Sequence, residues 1–326
     1  MIIDSHAHLV PPALLADIRK QNGKFPSVQL TEAEGGSVTF SFCDKNPTRP
    51  VSKPLRDIAA RKSWLAERGI TKQVVGGWLD MFGNELPAAE GETWARLINA
   101  HLMQTSQDTP EFVPLATLPM QDGKRAAAVL RDAAETGFKG AMIGTQPKGT
   151  GGVLDDPELN PFWETADALG MVIFVHPVFE SGDNRVHDYG MANAVGRITD
   201  SMIAISRLIF SGHVTRYTGA RIVAGTGGAA LPYVLGRLRR NYSLDKDNLG
   251  DPDAALNALY YDTILQDARA LRFLAEIVGT DRIMMGSDAP FPIGDPQPMK
   301  LIEDAGFTKQ ETASINGGLA TRLFDI

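Results

Sequence analysis

Short apolar runs alternate with stretches of helical periodicity through almost the whole chain. Eight runs read as strands: Ile2–Asp4, Thr71–Gly76, Phe112–Thr117, Gly140–Ile143, Met171–Val175, Arg221–Ala224, Tyr260–Thr263 and Arg282–Met285. Each is brief and apolar, as parallel strands buried on both faces are. Between them, Glu92–Gln107 sets Trp94, Leu97, Ile98, Leu102 and Met103 near helical spacing. Lys124–Thr136 is alanine-rich, with Gly137 as its stop. Pro161–Leu169, Ala192–Ile209, Ala230–Asn241 and Ala268–Val278 complete the helical set. A run of right-handed βα crossovers of this length predicts an α/β fold, most simply a (β/α)8 barrel. The alternative is a doubly wound open sheet. Such sheets usually carry GxGxxG after the first strand, where this chain has His6-Ala7-His8.

Residues 13–56 break the alternation. Val28–Leu30 and Ser37–Phe42 flank Glu34-Gly35-Gly36, a small β-hairpin pattern, and Asn46–Pro54 is proline-rich loop. The segment is expected to be an insertion after strand 1 that hangs over the C-terminal mouth of the barrel, within one domain covering 1–326. The tail Thr308–Ile326 reads as a closing helical pair. A length of 326 would also suit two domains, but single α/β barrels commonly run this long.

Composition removes several function classes. With 43% hydrophobic and 22% charged residues the chain is ordinarily globular. The net charge of −7 offers no basic face for nucleic acid or anionic lipid. The one cysteine, Cys43, cannot form an internal disulfide or a thiolate metal cluster, which fits a reducing compartment. The start MIIDSHAHLVPP lacks a signal-peptide pattern, and runs such as Met171–Val175 fall far short of a membrane span. The expected setting is cytoplasmic.

Chemistry concentrates at strand ends. In extended backbone His6 and His8 point to one face, so they can share one metal ion. His176 ends the apolar run Phe174-Val175, and Asp288 follows Ile283–Met285. Each fragment alone also suits an ordinary polar rim residue. Together they put three imidazoles and a carboxylate at the C-terminal ends of strands 1, 5 and 8, a zinc-type shell with room for a water.

The stretches DSHAHLVPP (4–12), LATLPMQ (115–121), GFKGAMIGTQ (137–146), FVHP (174–177), GGAALPYVLGRL (227–238), YYDTILQD (260–267) and GSDAPFPIGD (286–295) resemble, in order, the amidohydrolase superfamily. Within it they resemble the amidohydrolase-related group of aminocarboxymuconate-semialdehyde decarboxylase. The resemblance implies a distorted (β/α)8 barrel with one divalent metal on His6, His8, His176 and Asp288, usually zinc, with manganese as the alternative. It also implies chemistry on a small aromatic or muconate-like carboxylate, with decarboxylation leading and hydration or hydrolysis as alternatives.

One position departs from that group. The sixth strand there ends in Ala-His-Gly-Gly, whereas here Ala224-Gly225 leads into Thr226 and then Gly227-Gly228. A threonine hydroxyl is too weakly acidic to act as a general base near neutral pH. This opens a further alternative, a catalytically silent metal-binding homologue. His213 and His187 are the remaining candidates for the missing role, while His101 is expected to be structural or solvent-facing. Thr226 and Asp288 stand as the catalytic candidates, with Asp288 also able to handle a proton.

For substrate the group implies arginines, which hold carboxylates bidentately. Arg237 matches a family arginine that reaches a neighbouring subunit's site, which implies a homodimer or higher homo-oligomer. Arg49 and Arg56 lie in the region of the other family arginines, Arg185 is a third option, and Trp78 and Phe82 could wall an apolar pocket.

Overall fold

Ten strands organise the computed structural model, which describes residues 1–326 apart from Asn22, Glu34, Gly35 and Glu180. In chain order they are β1 (Ile3–Leu9), β2 (Val28–Ala33), β3 (Ser37–Phe42), β4 (Lys72–Gly77) and β5 (Phe112–Pro114). There follow β6 (Gly140–Gly144), β7 (Val172–His176), β8 (Arg221–Ala224), β9 (Tyr260–Asp262) and β10 (Ile283–Met284). β2 and β3 pair antiparallel, from Val28 opposite Phe42 to Ala33 opposite Ser37. This is the hairpin expected from the pattern, with a longer first strand. Of its expected turn, Glu34 and Gly35 lie outside the described residues.

The other strands form two parallel sheets, β1-β4-β5 and β10-β9-β8-β7-β6. They meet at two seams. At the first, Ala7 bridges Ala289, Ser5 N donates to Met285 O at 2.8 Å, and His8 N donates to Ala289 O at 2.8 Å. At the second, Ala116 bridges Ala141, and Met142 N donates to Ala116 O at 2.9 Å. Short bridges in place of full ladders close a distorted barrel, and the open-sheet alternative falls.

The strands run close to expectation except at β5, which stops at Pro114 rather than Thr117, and at β1. It extends to Leu9, so His6 and His8 lie inside the strand rather than after it. Its register against β4 shifts between Asp4 and Ala7, an irregularity of the kind that re-aims side chains beside sites. Gly286 lets the two ends of the ring approach, since a Cβ there would sit 3.0 Å from His6 Cβ.

Some helices escaped the pattern. Pro12–Lys20 buries only Leu14, Leu15 and Ile18, and Ile58–Glu67 buries Leu65 beside an arginine, Arg61. A short stripe and a stripe interrupted by charge both weaken the periodic signal. Where one α-helix was expected over Ala192–Ile209, a π-turn at Ala192–Gly196 precedes the α-helix Arg197–Phe210. After the hairpin, residues such as Asn46 and Arg49 line a cavity of about 650 Å³ with Asp80, Gln146 and Phe179. Those partners follow β4, β6 and β7 in the chain. Among the described residues no helix is long and apolar enough to cross a membrane.

Candidate metal centre

β1, β7 and the loop after β10 bring His6, His8, His176 and Asp288 together, all buried, with one ligand atom from each inside a 4.8 Å group. His6 Nε2 is 3.3 Å from His8 Nε2. Asp288 Oδ1 is 3.0 Å from His8 Nε2, 3.7 Å from His6 Nε2 and 4.0 Å from His176 Nε2.

The other ring nitrogens are tied outward. His6 Nδ1 faces Asp262 Oδ2 at 2.6 Å, His8 Nδ1 faces Gly77 O at 3.2 Å, and His176 Nδ1 faces Pro177 O at 2.8 Å. Each oxygen accepts from an Nδ1–H, which leaves the Nε2 lone pairs converging on one point. Asp288 Oδ1 is buried there with no hydrogen-bond partner among the described residues.

Such an oxygen would be costly to leave bare, and a cation facing it resolves the cost. Three nitrogens and one carboxylate oxygen suit a first-row divalent ion. A His/Asp metal-binding site is present.

For His8, His176 and Asp288 the charges agree with that donor set. Burial lowers His8 below the ordinary histidine value and takes His176 well below it, favouring neutral, ligating rings. Burial also pushes His6 down, but the Asp262 carboxylate outweighs it and leaves His6 raised. For Asp288 burial acts upward, yet the facing imidazoles of His176, His8 and His6 hold its carboxyl well below the usual range.

Two carboxylates brace the ligands. Asp262, at the end of β9, meets His6 and also accepts from Thr226 N at 3.0 Å and Gly227 N at 2.6 Å. Asp4 accepts from Ser287 N (2.9 Å), Ser287 Oγ (2.5 Å) and Gln73 Nε2 (2.7 Å). Arg61 donates to Gln73 Oε1 at 2.9 Å and to His8 O at 3.1 Å, and burial pushes its pKa down to about 10. Both Asp4 and Asp262 were missed as site residues. Asp262 carries the signal that flagged His176 and Asp288, a polar residue closing an apolar run.

A cavity of about 300 Å³ opens beside the cluster, lined by His176, Asp288, Thr226, Asn193 and Arg197. Thr226 therefore reaches the metal side, with its backbone at φ 56°, a left-handed conformation unusual for a β-branched residue. Arg49 stands at the neighbouring mouth. Its Nε and Nη2 donate to Asp80 at 2.9 Å each, and its guanidinium lies 3.9 Å over the Phe179 ring. Trp78 is buried 5.7 Å from the Arg49 guanidinium, its Nε1 without a partner among the described residues.

Other expectations part from the cluster. Arg237 is exposed on the helix Leu231–Leu244 and lines neither cavity. His213 cannot replace the absent histidine: it packs against Trp163 and Tyr217 ahead of β8, its Nδ1 2.7 Å from Ser211 Oγ. His187 is exposed in the loop after β7 and lines neither cavity. Arg56 reaches Gly36 O, and Arg185 is held by Asp183. Phe82 packs in the core, and His101 meets Asp17 at 3.1 Å, the structural role expected of it.

A barrel with a His/Asp metal-binding site at its strand ends defines a metal-dependent enzyme class. The chain belongs to the Amidohydrolase family, whose profile it matches over residues 3–326. It is 27% identical, across 99% of its length and 91% of the relative's, to 2-amino-3-carboxymuconate-6-semialdehyde decarboxylase of Dictyostelium discoideum. Its fold matches the crystal structure of 5-carboxyvanillate decarboxylase from Sphingomonas paucimobilis with a TM-score of 0.81, at 23% identity, covering 100% and 99% of the two chains. It also matches a dihydroxybenzoic acid decarboxylase from Polaromonas sp., crystallised with bound manganese and 2-nitroresorcinol, with a TM-score of 0.76 at 21% identity over 99% and 96%.

Proposed function

We propose that this chain is a metal-dependent decarboxylase of a small aromatic or muconate-like carboxylic acid. The observation that carries the reading is the bare, buried Asp288 Oδ1 facing three imidazoles whose Nδ1 atoms all point away to oxygen acceptors. The decarboxylase names of the relatives give the reaction class. His6, His8, His176 and Asp288 would hold one divalent ion, zinc or manganese. When bound, the ion supplies positive charge that stabilises developing negative charge on the substrate.

The chain's own residues do the rest. The bond from carbon to the carboxylate breaks, CO2 leaves, and the electron pair stays on carbon to take up a proton. Asp288, with one oxygen in the cluster, handles that proton through the other. Thr226 offers one hydroxyl hydrogen bond at the cavity wall. Arg49 and Trp78 form the outer substrate wall, and Arg237 serves a neighbouring subunit in a homodimer or larger homo-oligomer. The lone Cys43 favours a cytoplasmic setting. Thr226 supports a second reading, hydration or hydrolysis, because the histidine of the decarboxylase group is absent at that position.

Metal-loaded protein, incubated with a panel of ortho-hydroxybenzoic and muconate-type acids, is expected to release CO2 from at least one of them. Incorporation of labelled water without CO2 would move the assignment to the second reading. The protein should bind one metal equivalent per chain, and His176→Ala should lose most of it. Undiminished metal in that variant would remove His176 from the ligand set.

A further inference from the structure

Two arginines approach the metal side, and they differ in what they have left to give. Arg49 is spoken for: Asp80 takes its Nε and Nη2 at 2.9 Å each, and Phe179 covers its face. Arg197 is more deeply placed, 9% exposed, on the wall of the cavity that holds Asp288, His176 and Thr226. Its contacts are thin. Nη1 reaches Asn193 Oδ1 at 3.3 Å, Nη2 reaches Pro177 O at 3.5 Å, and Nε is buried with no partner among the described residues.

Among the described residues, the acidic groups whose charge reaches Arg197 are Asp288, Asp80 and Asp200, and all are committed elsewhere. Asp288 belongs to the metal cluster and Asp80 pairs with Arg49. Asp200 accepts from Thr145 Oγ1 and from Gln146 Nε2. A buried guanidinium without a counterion is costly unless something else supplies one. The π-turn Ala192–Gly196 delivers it, bringing Asn193 and Arg197 to the same cavity wall, and such turns concentrate at functional sites. We infer that Arg197 is the clamp for the substrate's carboxylate, holding it from within this chain, beside the metal cluster, by charge-assisted hydrogen bonds.

This rests on the small-carboxylate substrate proposed above, and it assigns the inner anion contact to Arg197 rather than Arg49. The ligand class it selects is a compact acid with its carboxylate on the Arg197 side and an oxygen substituent directed at the cluster.

The test compares salicylate with salicylamide, two probes of nearly equal shape that differ in charge, by calorimetry on metal-loaded protein. Wild type should prefer salicylate by about ten- to a hundredfold, the usual range for hydrogen bonds to a charged partner. In Arg197→Gln that preference should fall to near unity, with melting temperature, metal content and salicylamide affinity unchanged. Arg197→Lys keeps the charge but loses the fork, so it should retain an intermediate preference; it also serves if Arg197→Gln fails to fold.

A purely structural arginine would instead lower the melting temperature and weaken both probes together, and that result overturns the clamp. So does a preference that survives in both variants, or a wild type that binds salicylate no better than salicylamide or binds neither. Failure of the decarboxylase reading looks different: the preference collapses in Arg197→Gln while no acid yields CO2. Conversely, CO2 release with undiminished kcat/KM in Arg197→Gln sinks the clamp and leaves that reading standing.

Discussion

The two seams of the barrel join the same pair of sheets by different means. Between β5 and β6 the hydrogen bonds among the described residues are backbone alone: Ala116 N to Gly140 O and Met142 N to Ala116 O, both 2.9 Å, among alanine, glycine and methionine. Between β10 and β1 the backbone contacts are overlaid by side chains. Ser5 Oγ donates to Met285 O at 2.7 Å, Asp288 N donates to His6 O at 2.8 Å, and Asp4 receives both polar hydrogens of Ser287. The first seam needs only closure, which packing provides. The second carries His6, His8 and Asp288, whose mutual spacing must be held to fractions of an ångström for one ion, and directional bonds provide that.

Breaking the polar seam should have the largest effect. Asp4→Ala leaves Ser287 and Gln73, which in turn holds the buried Arg61, without their acceptor, so a loss of about 3 kcal/mol is expected, as for buried donors left unsatisfied. Metal affinity should fall with it, because Ser287 precedes Asp288 and Arg61 holds the His8 carbonyl. Denaturant unfolding and metal titration check both parts. Stability lost with full metal affinity per folded molecule would show that the ligands do not depend on this seam.

Asp262→Asn is a smaller, more local cut. It leaves the shape intact but weakens the bond that fixes His6, and about 10–100-fold in metal affinity is the expected cost of such a supporting contact. Competition with a chelator measures it. An unchanged affinity would mean that His6 is oriented by packing against Phe174, whose ring centroid lies 4.6 Å away.

The apolar seam gives the control. A Cβ at Gly140 would lie 2.4 Å from Val172 O, so Gly140→Ala should cost about 1–3 kcal/mol by overpacking. Metal affinity of the folded fraction should stay that of wild type. Weakened metal binding there would erase the distinction between the seams.

How much of this was legible follows from the same contrast. The barrel was readable because buried parallel strands are short apolar runs, and strand-end polar residues stand out against them, as His176 and Asp288 do. Asp262 had that signature too, but its role depends on facing His6, which lies 256 positions away. Arg197 had no signature at all. It sits in an amphipathic helix like any surface arginine, and only the π-turn before it and the prior claims on Asp80 and Asp200 leave it without a carboxylate partner among the described residues. Arg61 even worked against detection, since a charge on the buried stripe of Ile58–Glu67 blurs the pattern that marks a helix. Local chemistry at strand ends reads from sequence; pairing across the ring does not.

The smallest expected effect is at Thr226, which hangs from the polar side of the molecule by its backbone. Its N–H, not its hydroxyl, donates to Asp262 Oδ2, so the loop survives removal of the side chain. Thr226→Ala therefore deletes one neutral hydrogen-bonding group from the cavity wall and should slow turnover only a few-fold, on the order of 1 kcal/mol. Thr226→Gly removes the same hydroxyl and also relieves the left-handed backbone at φ 56°, so it should gain up to about 1 kcal/mol in stability. Comparing kcat/KM and melting temperature across the two variants separates hydroxyl from backbone. A thousand-fold rate loss in both, with metal retained, would show that the hydroxyl itself takes part in the chemistry; the hydration or hydrolysis reading would then displace decarboxylation, and the site's specification would no longer rest on the supporting carboxylates alone.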